Sequence, residues 1–152
     1  MSNVNAIYFD MDGTIADLYS VENWEPKLKN YDPTPYSEAK PLYDMGKLNS
    51  LVEKFMAKGI RVGVISWLSK GSTREYDSKV VSAKRGWLNK YLPAVKEIHL
   101  VPYGTPKHEV ATAENAVLVD DNEEVRQSWG GETVDATQNI LPQLLQLIGS
   151  LN

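Results

Sequence analysis

The sequence predicts a three-layer α/β sandwich around a mainly parallel five-stranded sheet, and three observations carry that prediction. Short runs of strand length, mostly apolar, recur at Val4–Phe9, Arg61–Ser66, Glu97–Val101, Ala116–Val119 and Glu132–Val134. Between them lie segments whose apolar residues follow helical spacing. No internal repeat and no long linker breaks the alternation, and strands alternating with helices close as a parallel sheet with right-handed crossovers. A single domain over residues 1–152 is therefore expected.

Each element has a local reason. Val4–Phe9 is almost continuously apolar, as a strand buried on both faces must be. The character changes from Ser20 to Asp44, which holds Pro26, Pro33, Pro35 and Pro41, together with Trp24, Tyr31, Tyr36 and Tyr43. Proline resists regular helix, so residues 20–44 read as a short insert with at most short helical turns, able to cover a site. Most of its aromatics are expected to pack the insert onto the core.

Lys47–Lys58 carries Leu48, Leu51, Val52, Phe55 and Met56 at helical spacing, and Gly59 stops the helix. Ser72-Thr73-Arg74-Glu75 fits a capping box opening a long helix through Val80, Trp87, Leu88 and Tyr91, which Pro93 ends. A short helix is expected to begin near Lys107, another to run over Glu123–Trp129, and a last one to carry Ile140, Leu141, Leu144, Leu145, Leu147 and Ile148.

Composition excludes several functions. The absence of cysteine rules out disulfides, thiolate metal ligands and a cysteine nucleophile, and with His99 and His108 alone a histidine metal centre is disfavoured. A net charge of −4 argues against a nucleic-acid backbone as partner, because that surface demands a basic footprint, whereas a small phosphorylated partner stays compatible. No apolar run reaches the ~20 residues of a membrane span, and Met1–Asn5 has no basic leader. The expectation is a cytoplasmic protein with no membrane partner.

The chemistry concentrates at strand ends. Ala6-Ile7-Tyr8-Phe9 runs into Asp10-Met11-Asp12-Gly13-Thr14, two carboxylates spaced by one residue and followed by a glycine and a hydroxyl. At a strand end such a pair points to one side, and ligands of open α/β sheets sit at the carboxyl ends of strands. Taken alone, the same residues also suit a solvated β-turn. Ser66 ends the second strand, Lys107 follows the third, and Asp120-Asp121 ends the fourth. Singly these read equally as a turn residue, a surface lysine and a helix N-cap. In this order, all at the carboxyl edge of one sheet, they form a constellation.

Phe9-Asp10-Met11-Asp12-Gly13-Thr14, Val64-Ile65-Ser66, Lys107 and Val117-Leu118-Val119-Asp120-Asp121 together resemble the four motifs of the haloacid-dehalogenase-like (HAD) hydrolases, across nearly the whole chain. The resemblance implies a Rossmann-like sandwich and a Mg²⁺-dependent phosphatase acting on a small phosphomonoester, a nucleoside monophosphate among the candidates. It implies Asp10 as the nucleophile that forms an aspartyl-phosphate, and Asp12 as the general acid and base. Ser66 would hold the phosphoryl oxygens and Lys107 would neutralise phosphate and carboxylates, with Lys70 a competitor for the lysine role.

The implied metal ligands are Asp10, the carbonyl of Asp12, and Asp120, with Asp121 close behind. Gly13 is expected to free the turn, Thr14 to bond within the loop, and Asp17 to brace it. The small insert places the chain nearest in style to the 5'(3')-deoxyribonucleotidase-like branch, though its insert is shorter, and Trp67 is the aromatic expected at the pocket. The competing readings are a non-catalytic or regulatory binding protein on the same fold, a phosphatase of a polynucleotide end or of a phosphoprotein, and a phosphomutase.

Overall fold

The computed structural model of the chain describes residues 3–151; Met1, Ser2 and Asn152, at the two ends of the expected domain, lie outside the described residues. In chain order the elements are β1 (Ala6–Phe9), β2 (Ala16–Asp17), α1 (Trp24–Lys29), α2 (Thr34–Glu38), β3 (Lys40–Pro41), α3 (Met45–Ala57), β4 (Arg61–Trp67), α4 (Arg74–Tyr91), β5 (Glu97–Val101), α5 (Lys107–Val110), β6 (Ala116–Asp120), α6 (Glu123–Trp129), β7 (Thr133–Asp135) and α7 (Ile140–Gly149). The main sheet is five-stranded and parallel, in the order β5-β4-β1-β6-β7.

Strand periodicity explains the layers. Successive side chains of β1 leave opposite faces, so Ile7 and Phe9 join Val62, Val64, Val117 and Val119 against α3, α4 and α7, while Ala6 and Tyr8 join Ile65 and Leu118 against α6. All four residues of β1 are buried, as its apolar run predicts. Its two neighbours, β4 and β6, arrive from opposite sides of the topology. The crevice where the winding reverses therefore opens at the carboxyl end of β1.

The helix boundaries follow their caps. Asp44 accepts the amide of Lys47 and opens α3 two residues earlier than the spacing predicts. At α4 the capping box over Ser72–Glu75 is not formed: Thr73 is the N-cap and accepts the amide of Tyr76, while Ser72 Oγ donates to the carbonyl of Thr73. The register moves by one because Tyr76, a buried residue, must face the insert.

The segment between β1 and α3 does hold two short helices, and its base is closed by the antiparallel pair β2–β3, which no periodicity could announce in strands of two residues. Two bonds fasten it to α4, Tyr76 Oη donating to the carbonyl of Asp32 at 2.8 Å and Trp87 Nε1 to that of Ala39 at 2.7 Å, and a third joins Tyr36 Oη to Ser69 Oγ in the loop after β4. Leu18, Tyr36, Leu68, Tyr76 and Val80 form a small core of their own there.

Candidate active site

The loop after β1 is wound tightly by its own backbone. The carbonyl of Met11 accepts the amides of Thr14, Ile15 and Ala16, and Gly13 takes φ +81°, a conformation that favours glycine. This winding aims the Asp10 and Asp12 side chains into a cavity of about 660 Å³, whose floor also holds Lys107, Asp120 and Asp121.

The buried cation of Lys107 organises the floor. Its Nζ lies 2.9 Å from Asp10 Oδ1 and 2.7 Å from Asp120 Oδ2, and the residue is 4% exposed. Lys70 stands instead at the rim, 5.9 Å from the Tyr103 ring, so the structure brings Lys107 and not Lys70 to the carboxylates. Asp120 Oδ1 accepts the amide of Asn122 at 3.0 Å. Thr14 reaches beyond its own loop: Oγ1 lies 3.1 Å from Asp10 Oδ2 and 3.0 Å from Asp121 Oδ1, and accepts the Asp121 amide at 3.1 Å. Asp17 makes no side-chain cap; it pairs through backbone with Lys40.

Asp10, Asp120 and Asp121 each offer a carboxylate oxygen within 4.8 Å of the others. Asp121, expected behind the ligands, thus presents an oxygen to the same cluster. The Asp12 carboxylate stands apart from it and meets Lys84, whose Nζ lies 2.9 Å from Oδ2. Ser66 is 1% exposed and sits beneath the cavity wall, where its Oγ accepts from Lys84 Nζ at 2.8 Å.

Lys84 is the site residue that the sequence reading missed. It lies in the buried stripe of α4 with Tyr76, Val80, Trp87 and Leu88, four apolar or aromatic neighbours at helical spacing. A lysine inside an apolar stripe was the available signal.

Burial and charge pull the acids in different directions. Burial would raise Asp10, but the Lys107 ammonium outweighs it and holds the carboxyl below its ordinary range. Burial and the neighbouring Asp10 push Asp120 up to about 6 and Asp121 up to about 7. Asp12 is raised by burial and by Asp10, against the opposing charge of Lys84. Lys107 is raised because its two carboxylates outweigh its burial.

Four carboxylates face two buried ammonium groups, leaving a formal excess of two negative charges. An oxygen-only donor set with that excess fits a hard divalent cation such as Mg²⁺.

Aromatic pairs wall the mouth. Tyr19 and Trp24 meet edge to face with centroids 5.1 Å apart, and Trp67 and Tyr103 lie 5.0 Å apart beside Lys107. Trp67 is held by its Nε1 bond to the carbonyl of Thr105 at 2.8 Å. Of the insert's aromatics, Tyr43 packs against the main core, whereas Trp24 and the largely buried Tyr36 line the cavity.

No family model matches the chain, and no curated protein matches it. Among solved structures it is similar to D,D-heptose 1,7-bisphosphate phosphatase from Burkholderia thailandensis, with 16% identity and a TM-score of 0.55, over 97% of this chain and 87% of that one. At that identity the likeness is one of fold. It agrees with the α/β fold that the sequence predicts and singles out no deoxyribonucleotidase-like branch.

Proposed function

We propose that the chain is a Mg²⁺-dependent phosphatase of small phosphomonoesters working through an aspartyl-phosphate on Asp10. The observation that carries this reading is Lys107 clamped between Asp10 and Asp120 at the floor of an open cavity. A buried lysine in that position keeps the candidate nucleophile ionised and unprotonated, the state in which a carboxylate attacks. The structural neighbour is itself named as a phosphatase, which is in keeping with the reading.

Asp10, Asp120 and Asp121 would hold the cation, with the carbonyl of Asp12. Bound there, Mg²⁺ would offset the charge of the phosphate dianion against the carboxylates. An oxygen of Asp10 attacks phosphorus, and the bond from phosphorus to the ester oxygen breaks with its electron pair on that oxygen. Asp12, with its carboxyl raised by burial, gives that oxygen a proton. Asp12 then takes a proton from water as the water oxygen attacks phosphorus, the acyl-phosphate bond breaks, and Asp10 and inorganic phosphate are released. Lys107 stays paired with the site acids throughout, while Ser66, expected to hold the phosphoryl oxygens, is buried with its hydroxyl on Lys84 and acts through that ammonium.

A cavity of about 660 Å³ with aromatic walls suits a small organic ester, and nucleoside monophosphates and sugar phosphates are the first classes to screen. The chain as a cytoplasmic, soluble enzyme remains part of the proposal; among the described residues no helix is long and apolar enough to cross a membrane.

Hydrolysis of p-nitrophenyl phosphate with Mg²⁺, with EDTA and with Asp10→Asn tests the reading. Turnover by wild type that EDTA and the substitution both abolish supports it. Turnover that survives Asp10→Asn, or an inert wild type across the ester panel, removes it.

A further inference from the structure

We infer that Lys84 is a positioning residue for the proton transfer, fixing which oxygen of Asp12 carries the proton; this rests on the phosphatase reading above. Lys84 is 0% exposed, yet its ammonium is fully engaged. Its three N–H donors meet three acceptors: Asp12 Oδ2 at 2.9 Å, Ser66 Oγ at 2.8 Å and the carbonyl of Trp67 at 2.8 Å. The Tyr36 ring of the insert covers it at 4.7 Å.

An ammonium only donates, so Oδ2 of Asp12 accepts, and the charge of Lys84 beside it favours the carboxyl proton on Oδ1. The preferred proton position is therefore Oδ1, and Asp12 lines the cavity. No other side-chain hydrogen bond orients the Asp12 carboxylate among the described residues. Lys84 in turn is carried by α4, a helix of 18 residues, and by the end of β4 through Ser66 and Trp67. Two rigid elements thus set the orientation of an acid that sits in a loop. A buried ion pair adds little or nothing to stability over well-packed apolar side chains in place of both partners, so stability alone does not account for the Lys84–Asp12 pair.

In the step concerned, the Oδ1 proton passes to the departing ester oxygen as the phosphorus–oxygen bond breaks and leaves its electron pair there. An alkoxide needs that proton; p-nitrophenolate leaves well without it. The variant Lys84→Met keeps the volume and removes the donors. We expect its kcat on glycerol 2-phosphate to fall roughly ten- to a hundredfold further than its kcat on p-nitrophenyl phosphate, with similar KM values.

Thermal unfolding reports whether the variant is folded. If it is not, the same ratio is read in Ser66→Ala, which removes one of the three acceptors holding the ammonium, and the same asymmetry is expected at smaller amplitude. Equal losses on the two esters in a folded variant overturn the positioning role while leaving the phosphatase reading intact. A wild type inert toward both esters removes the phosphatase reading, and this inference with it.

Discussion

A Cβ on Gly13 would lie 2.4 Å from Oδ2 of Asp121, so the turn after β1 and the end of β6 approach each other where only a hydrogen atom fits. Gly13 also holds φ +81°, where an L side chain is strained by about 1–2 kcal/mol. Gly13→Ala should therefore push Asp121 away from Asp10 and Asp120 while the core of the sheet, far from the contact, stays folded. The expected outcome is a normal far-ultraviolet circular dichroism spectrum with Mg²⁺ affinity lowered tenfold or more. Isothermal titration with Mg²⁺ reads it, and unchanged affinity would remove Asp121 from the ligand set.

Lys107→Met should damage both stability and turnover. The substitution leaves Asp10 and Asp120 buried without the cation between them. Breaking a buried ion pair from one side costs about 3–5 kcal/mol, partly relieved as a carboxyl takes up a proton. Activity on p-nitrophenyl phosphate should fall by roughly 10²–10³, the scale of losing one preorganised charge. Urea denaturation and steady-state kinetics check the two parts. Lys70→Met, at the rim, should leave stability within about 0.5 kcal/mol of wild type.

The chain made its fold and half of its site legible. The five strands were visible because buried parallel strands are apolar on both faces, as Ala6–Phe9 and Ala116–Val119 are. The clustering of Asp10, Lys107 and Asp120 followed from placing each residue at the carboxyl edge of one sheet. Lys84 escaped because a lysine in the middle of a helix reads as solvated surface, and only the apolar residues around it, Val80, Trp87 and Leu88, betray that its face is buried. Ser66 was legible as a strand end but not in its partner, since the ammonium that holds it lies 18 residues on in another element. The β2–β3 pair and Tyr19, whose ring meets Trp24, depend on contacts that no local pattern encodes.

Trp24 and Tyr19 bear on substrate choice. Their rings meet edge to face at the mouth, and Tyr19 remains 52% exposed. Trp24→Ala should raise KM for an aromatic ester such as a nucleoside monophosphate by roughly three- to tenfold, in line with ~0.5–1.5 kcal/mol for an aromatic contact, and leave kcat within about twofold. An equal change in KM for glycerol 2-phosphate would show that the ring shapes the insert and does not contact the leaving group.

The metal-free protein should lose stability as pH rises from about 5 to about 8. Burial, with Asp10 beside them, puts Asp120 at about 6 and Asp121 at about 7 in the folded chain, against an ordinary value of 3.8. Between these values the folded state binds more protons than the unfolded one, so unfolding becomes easier as pH climbs through the window. The raised Asp12 carboxyl acts in the same sense. Asp10, held low by Lys107, acts in the opposite sense and only below its ordinary value of 3.8, outside this range. Mg²⁺ competes with those protons for the same oxygens, so millimolar Mg²⁺ should raise the thermal midpoint more at about pH 8 than at about pH 5. Midpoints measured across that range with and without Mg²⁺ decide it: a metal-free midpoint that rises with pH, or a Mg²⁺ effect independent of pH, would mean that Asp120 and Asp121 do not share the cluster in solution.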